Sequence, residues 1–468
     1  MSKQKKKLKS YLEAKGLEVL ETERDSVFTV RDLWGELGIP DLMDRILQKE
    51  NFEQAVRQVV SNGGAPGVDG MSTAELPAFV EEHWEEIRDR LRVGRYHPSP
   101  VRRVTIPKPD GGERNLGVPT VLDRAVQQAI AQVLVPIYEK IFSESSFGFR
   151  PGRSAHQAVT KLLNDYRDGY VWAVDIDLSK YFDTLNHEML MNALRRTIHD
   201  ETVLDVIKKF LKSGVMVDGV VQSTDRGSPQ GGNLSPLLAN VYLHRFDELL
   251  ENRGHRFCRY ADDIIILVRS ERAAERVMAS SVDFLENTMK LKVNTEKSRI
   301  AKATEVKYLG FTLYDYVRKD GNRRTGILIH GKSLKRFTDK IKVILNETTS
   351  WSVEQVCTVM TNYVRGWMSY YGIADGKSQI EKIASWSRRK LRAKIWHQWK
   401  TPANRRRNLM AILPIPHFVT GCLLHARAHG SWHMSAYRPL HGFLSNEYLE
   451  SLGFPDMLKS YVEAHSKW

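Results

Sequence analysis

The sequence predicts an α+β protein followed by a separate helical domain, and three observations carry that expectation. β-Branched strands alternate with helical patterns through the middle of the chain, from about Tyr170 to Phe311. Aspartates stand at the strand ends there, at Asp177 and at Asp262-Asp263. Beyond Phe311, apolar residues recur at helical spacing in three consecutive segments. The chain has 468 residues, about three times the usual domain length, so two or more domains with sizeable cores are expected.

Residues 1–40 are polar and weakly helical, carry Lys3, Lys5, Lys6, Lys7 and Lys9, and end at the boundary signal Gly38-Ile39-Pro40. No apolar h-region follows the lysines, so this is an extension with a basic arm rather than a secretory signal. Between Leu42 and Leu91, charged helical stretches surround Asn62-Gly63-Gly64-Ala65-Pro66-Gly67-Val68-Asp69-Gly70, a loop whose glycines imply close backbone contact with something. The alternation Val101-Arg102-Arg103-Val104-Thr105-Ile106, the turn Asp110-Gly111-Gly112 and the return Arg114-Asn115-Leu116-Gly117-Val118 predict a basic two-stranded ribbon. Helices are expected from Asp123 to Ile141 and from His156, with a loop from Phe147 to Ser154 between them.

Tyr170 to Asp177 is β-branched and aromatic, hence a strand, and Phe257 to Val268 gives two short strands meeting around Ala261-Asp262-Asp263. Helical patterns at 187–197, 232–251 and 271–290 separate them. After Tyr308-Leu309-Gly310-Phe311 the chain is expected to turn helical. Leu334, Phe337 and Ile341 mark one stripe, Val356, Met360, Tyr363, Trp367 and Tyr370 a second, and Leu391, Ile395 and Trp399 a third. The expected units are therefore 1–40, 41–330, 331–402 and a small region at 403–468.

Lys and Arg number 70 against 56 Asp and Glu, a net charge of +14, while 42% hydrophobic and 9% aromatic content belongs to a folded chain. A polyanionic partner follows. Much of the excess is local: 377–407 holds eleven Lys or Arg against the single acid Glu381, interleaved with Trp386, Trp396 and Trp399. A solvated helix face would mix Glu with Lys, so cations beside aromatics read as phosphate contacts with base or ribose stacking, and RNA is the favoured partner. Cys258, Cys357 and Cys422 are too few for a disulfide framework or a zinc finger, which fits a reducing compartment. The run Ile264-Ile265-Ile266-Leu267-Val268 is strand-length, far short of the ~18 residues of a membrane span, so no membrane partner is expected.

Converging carboxylates bind hard cations through oxygen, and Mg²⁺ held beside phosphates is the usual device of phosphoryl transfer. Any one aspartate here would pass for a turn residue; the surrounding pattern changes that. Tyr260-Ala261-Asp262-Asp263 between apolar strands resembles the metal-binding hairpin of reverse transcriptases, and Asp177-Leu178-Ser179-Lys180-Tyr181-Phe182 resembles their first carboxylate motif, an Asp with an aromatic five residues on. Asp175 lies two residues away on the same strand face, but would place Lys180 at the aromatic position. Gly227-Ser228-Pro229-Gln230-Gly231-Gly232-Asn233-Leu234-Ser235-Pro236, Asn294-Thr295-Glu296-Lys297 and Tyr308-Leu309-Gly310-Phe311 follow in the family's order.

The fingers signatures Ala65-Pro66-Gly67-Val68-Asp69-Gly70, Ile106-Pro107-Lys108-Pro109 with Leu116-Gly117-Val118-Pro119-Thr120, and Gly148-Phe149-Arg150-Pro151-Gly152-Arg153-Ser154 resemble group II intron-encoded proteins. So does Arg388-Arg389-Lys390-Leu391-Arg392 with Ile395-Trp396-His397-Gln398-Trp399-Lys400, which is similar to their maturase signature. The resemblance covers Leu42 to the C-terminus and implies a right-hand polymerase: fingers and palm, a helical thumb or maturase domain, and a C-terminal DNA-binding region.

It further implies catalysis and two-Mg²⁺ binding by Asp177, Asp262 and Asp263. Nucleotide contacts would come from Lys108, Arg114, Phe182, Gln230 and Lys297, with Phe182 excluding a 2′-hydroxyl. Primer and template contacts would come from Gly231, Tyr308, Leu309 and Gly310, and RNA contacts from Arg388, Arg389, Lys390, Arg392, Lys394 and Lys400. The expected partners are group II intron RNA, a DNA target or primer, and dNTPs, in the bacterial cytoplasm or at the nucleoid. A splicing-only RNA-binding maturase and an intron-free host-defence or domesticated reverse transcriptase remain open. Many family members end in an endonuclease domain with Cys pairs and a His-Asn-His site; the sequence shows none, so no DNA nicking is expected. His425, His429 and His433 have a spacing suited to zinc, but Gly430 interrupts the helix and no carboxylate or thiol completes the set.

Overall fold

The computed structural model describes residues 42–107, 113–217, 220–222, 226–227, 231–317, 320–346 and 351–468. The helices α1 (Leu42–Ile46), α2 (Lys49–Asn62) and α3 (Leu76–Arg92) come first. α2 buries Phe52, Ala55, Val56 and Val59, which share one helical face. The glycine-dense loop after it packs on its own chain. Arg124 donates to the Gly63 and Ala65 carbonyls at 3.2 and 2.8 Å, and Arg102 donates to the Pro66 carbonyl at 2.7 Å. A Cβ at Gly67 would stand 2.6 Å from Thr120 Cα, so the close contact that the glycines foretell is internal.

β1 (Val101–Pro107) and β2 (Glu113–Val118) form the expected antiparallel ribbon, from Arg102 opposite Val118 to Pro107 opposite Glu113. α4 (Val121–Tyr138) is capped by the Thr120 hydroxyl, and α5 (Ala155–Arg167) starts on a Ser154–Gln157 capping box. Then follow β3 (Trp172–Ile176), α6 (Tyr181–Thr184), α7 (His187–Arg195), α8 (Glu201–Lys212), β4 (Val215–Val217) and β5 (Val220–Gln222). α8 was not anticipated, although its signals are plain afterwards: Asp200 caps it, and Val203, Leu204, Ile207, Phe210 and Leu211 form a buried stripe. β4 runs parallel to β1, giving a sheet in the order β2-β1-β4-β5.

After α9 (Ser235–Asn252) come β6 (Arg256–Tyr260), β7 (Asp263–Val268), α10 (Glu271–Asp283) and β8 (Arg299–Lys302). With β3 they make a second sheet, β6-β7-β3-β8, antiparallel throughout. The expectation of helix directly after Phe311 is corrected. β9 (Phe311–Val317) and β10 (Arg323–Ile329) pair as a hairpin before α11 (Gly331–Asn346) begins. α12 (Val353–Tyr371) and α13 (Lys377–Gln398) complete the three predicted helices. Six more follow: α14 (Pro402–Ile412), α15 (Pro416–Ala428), α16 (Ser431–Met434), α17 (Arg438–Phe443), α18 (Asn446–Ser451) and α19 (Met457–His465).

Strand alternation places two cores on the two faces of the second sheet. Val174, Ile176, Ile264 and Ile266 face a core shared with α2, α4 and α7 to α9. Ala173, Cys258, Ile265 and Leu267 face the other, which runs on through α5, the β9–β10 hairpin and every helix from α11 to α19. The turn after α12 is held by α19, since Tyr461 Oη donates to the Ala374 carbonyl at 2.8 Å. No helix of the described residues is long and apolar enough to cross a membrane.

Candidate active site

β3 runs antiparallel to β7 with Ile176 opposite Ile264. Asp177, the first residue beyond β3, and the β6–β7 turn that carries Ala261 and Asp262 are therefore delivered to the same edge of the sheet. Asp263 opens β7 opposite Tyr260. Asp177 is fixed from the backbone: its N–H donates to Ser298 Oγ at 3.0 Å, and its carbonyl accepts from Asn294 N at 2.8 Å. Lys297 Nζ lies 3.9 Å from Asp177 Oδ2.

The carboxylates feel one another. Asp263 keeps an outer face open to solvent, yet protein atoms crowd its carboxyl and, with the charges of Asp262, Asp177 and Asp175, push its pKa up to about 6. Asp175 is also pushed up to about 6, by burial first; Arg299, 3.8 Å away, opposes the shift and Asp177 adds to it. A like-charged, oxygen-only donor set of this kind is relieved by a divalent cation. The fit is of donor chemistry rather than a finished cage, because no group of three or more His, Cys, Asp or Glu among the described residues is already gathered for a metal.

A cleft of about 400 Å³ opens from Asp175 and Asp263 onto Tyr308, Leu309, Gly310 and Arg336. Tyr370 Oη donates to the Leu309 carbonyl at 2.9 Å, and Ser333 Oγ donates to the Gly310 carbonyl at 3.0 Å, so α11 and α12 hold the predicted primer turn beside the acids. Phe182 is half-buried on α6, with its ring 5.3 Å from that of Tyr181. Gly231 rests on the Gly117 carbonyl of β2, which seats the loop before α9 against the ribbon. Lys108, Gln230, the Arg114 side chain and residues 1–40 lie outside the described residues.

Sequence reasoning missed the groups beneath the catalytic turn. Arg259 is fully buried and donates to Asp247 through Nε at 2.7 Å and Nη2 at 2.5 Å, and through Nη1 to Asn240 Oδ1 and the Ala261 carbonyl. Its adjacency to Tyr260-Ala261-Asp262-Asp263 was a usable signal; nothing in the sequence marks Asp247 or Asn240.

On α13, Arg388, Arg389 and Lys390 are partly exposed and Lys400 is exposed just past the helix. Arg389 and Lys390 lie over the Trp432 ring at 3.9 and 4.9 Å. Lys394 is half-buried, and its Nζ reaches the Leu345 carbonyl at 3.4 Å. Arg392 departs from its expected role: it is 6% exposed and donates to the Leu444 carbonyl at 2.7 Å and Asn446 Oδ1 at 2.9 Å, joining α13 to the chain beside α18. The stacking expected of Trp396 is corrected too, since it is 1% exposed, while Trp386 and Trp399 are partly buried against the same core. His425 stacks between His429 and Tyr437.

A four-stranded antiparallel sheet that brings carboxylates to one end, next to a cation-rich helical region, is an arrangement that suits a template-directed polymerase. The reverse transcriptase (RNA-dependent DNA polymerase) family matches residues 106–313, and the group II intron, maturase-specific domain matches 334–413. The chain is 33% identical over 350 residues to Protein YkfC of Escherichia coli (strain K12), which spans 66% of this chain and 92% of that protein. It is 28% identical over 431 residues to the group II intron-encoded protein LtrA of Lactococcus lactis subsp. cremoris, covering 72% of this chain and 71% of LtrA. A chain of a solved partial Cas6-RT-Cas1--Cas2 complex is 28% identical, with a TM-score of 0.35, over 54% of this chain and 43% of its own length. The protein belongs to the group II intron reverse transcriptase and maturase family, and it carries an RNA-dependent DNA polymerase domain.

Proposed function

We propose that the protein extends a DNA primer on group II intron RNA by two-metal nucleotidyl transfer, and binds that RNA to assist splicing and mobility. The observation that carries this reading is the delivery of Asp177, Asp262 and Asp263 to the same end of one sheet, with Asp263 lining a cleft that ends on Tyr308, Leu309 and Gly310. Those three aspartates would hold two Mg²⁺ ions, which when bound supply an activated 3′-hydroxyl and a stabilised pyrophosphate leaving group.

The chain's own residues do the rest. Lys108 and Arg114 clamp the triphosphate, Arg through its fork and Lys as a point charge. Gln230 and Gly231 support the nascent base pair, Lys297 faces the departing phosphate, and Phe182 crowds the sugar. The turn Tyr308–Gly310 holds the primer strand. Arg388, Arg389, Lys390, Lys394 and Lys400 contact RNA phosphates, while Arg392 shapes the surface from inside. No residue set suggests an independent transesterase, so splicing chemistry belongs to the RNA. An intron RNA and its DNA target as partners would put the protein in the bacterial cytoplasm or at the nucleoid.

The test is primer extension on a primed RNA with Mg²⁺ and either dNTPs or rNTPs, with sequencing of the RNA that copurifies from the host. Asp262→Ala should reduce cDNA synthesis by roughly 10³-fold or more while RNA affinity stays within about twofold. Retained extension by that variant would sink the assignment. Phe182→Ala should admit rNTPs; unchanged discrimination would show that the ring only packs.

A further inference from the structure

We propose that Arg259, Asp247 and Asn240 form a positioning clamp that sets the turn Ala261-Asp262-Asp263 in its catalytic place; this deepens the polymerase reading and rests on it. Ala261 has φ +59°, a left-handed conformation that L residues other than glycine rarely adopt. Something must hold it there. Arg259 Nη1 donates to the Ala261 carbonyl at 3.1 Å, from a guanidinium itself immobilised by the two-point contact with Asp247.

Asp247 and Asn240 stand seven residues apart, two turns along the same face of α9, and both are buried. Asn240 ties the clamp to a third element. Its Oδ1 accepts from Arg259 at 2.8 Å, and its Nδ2 donates to the Gly148 carbonyl at 2.8 Å. Gly148 lies against the other side of the turn, where any side chain would collide with the Ala261 nitrogen. The backbone of 145–147 closes the ring, with Arg259 N donating to the Ser145 carbonyl and Phe147 N to the Arg259 carbonyl.

An ion pair sealed from water is a poor source of stability, since apolar residues of the same volume often serve as well. This one instead delivers a single oriented donor to one carbonyl, next to the first turn carboxylate. Arg259 is thus a positioning residue acting through the Ala261 carbonyl.

Three full-length variants test it: Arg259→Lys, which keeps the charge and loses the fork, Asp247→Asn, and Asn240→Ser, which leaves the ion pair in place. Each is assayed well below its own melting transition for kcat, for dNTP KM, for affinity for primed RNA and for the Mg²⁺ concentration that gives half-maximal rate. The clamp predicts a kcat lower by about tenfold or more for Arg259→Lys and by at least about threefold for Asn240→Ser. KM and RNA affinity should stay within about twofold, and the Mg²⁺ midpoint should rise. A folded variant whose kcat falls by less than threefold, or whose loss only tracks its unfolded fraction, overturns the proposal. If the Arg259 and Asp247 variants do not fold, Asn240→Ser decides by the same thresholds. An inactive wild-type protein would instead overturn the polymerase reading.

Discussion

The buried arginines around the β6–β7 turn and the arginines of the helical C-terminal third are partnered in opposite ways. Arg259 is matched by the Asp247 carboxylate, and Arg150, also buried, binds Glu139 at 3.0 Å besides the Ser143 and Ser146 carbonyls. In the helical third the partners are neutral. Arg392 has a carbonyl and an amide oxygen, Arg405 lies over the Trp396 ring at 4.7 Å, and Arg389 covers Trp432. Charge is cancelled locally near the catalytic edge and left standing on the helices. A local carboxylate fixes geometry without adding to the long-range field, whereas cations on neutral acceptors and ring faces leave a field that a polyanion can neutralise.

The sharpest way to break this contrast is to delete one arginine from each region. Arg259→Met should destabilise the protein by about 3–5 kcal/mol, because Asp247 stays buried and unpaired. Arg392→Met should cost only about 1–3 kcal/mol, the penalty of an unmet carbonyl and amide. Urea unfolding measures both, and equal losses would erase the distinction.

Asp123 sharpens the comparison from the other side, as a buried acid whose bonded partners are all neutral: Tyr96 Oη, Thr120 Oγ1 and Ser99 N. Burial pushes its pKa up to about 6 from 3.8, with those hydrogen bonds opposing the shift. The native state therefore holds the proton more tightly than the unfolded one. The stability from this group is full below about pH 4 and is lost as pH rises through 6, a loss on the order of 2–3 kcal/mol. Asp123→Asn should flatten that part of the stability profile between pH 4 and 6.5; an unchanged slope would show that the group is not the source.

The smallest expected effect is in salt dependence. Replacing Arg388 and Lys390 together by Ala should lower the slope of log affinity for RNA against log salt by about 0.7 for each phosphate left without its cation. Arg392→Met should leave that slope alone, since its buried guanidinium can add to the field but reaches no phosphate. A shift of equal size for Arg392 would place it at the RNA after all.

Local features were legible where a short pattern carries its own meaning. The ribbon could be read from the alternation of its strands, and the acid motifs from their resemblance to those of a known family. The β9–β10 hairpin was not read, because Phe311, Leu313, Ile327 and Ile329 bury one edge only while Tyr314 and Tyr316 lie half-open, which blurs the alternation; the turn signal Asp320-Gly321 would have marked it. Arg392 and Trp396 were misjudged for a different reason. Helical period shows which residues share a face but not whether a second layer covers the opposite face, and α14 to α19 supply that layer. The clamp under the active site was invisible because Asp247 and Asn240 meet Arg259 only through the tertiary fold.

The unbroken second core has a consequence for how this protein can be divided. A cut after residue 402 would leave α13 with Arg392 stripped of both acceptors, and the turn after α12 without the Tyr461 hydroxyl that the Gly376 N–H meets at 3.0 Å. The maturase signature is therefore not a transplantable part, because its buried members depend on the helices that follow it. No exchange between relatives that stops short of the last helix keeps this core intact, so any swing of the thumb over a template carries the C-terminal helices with it.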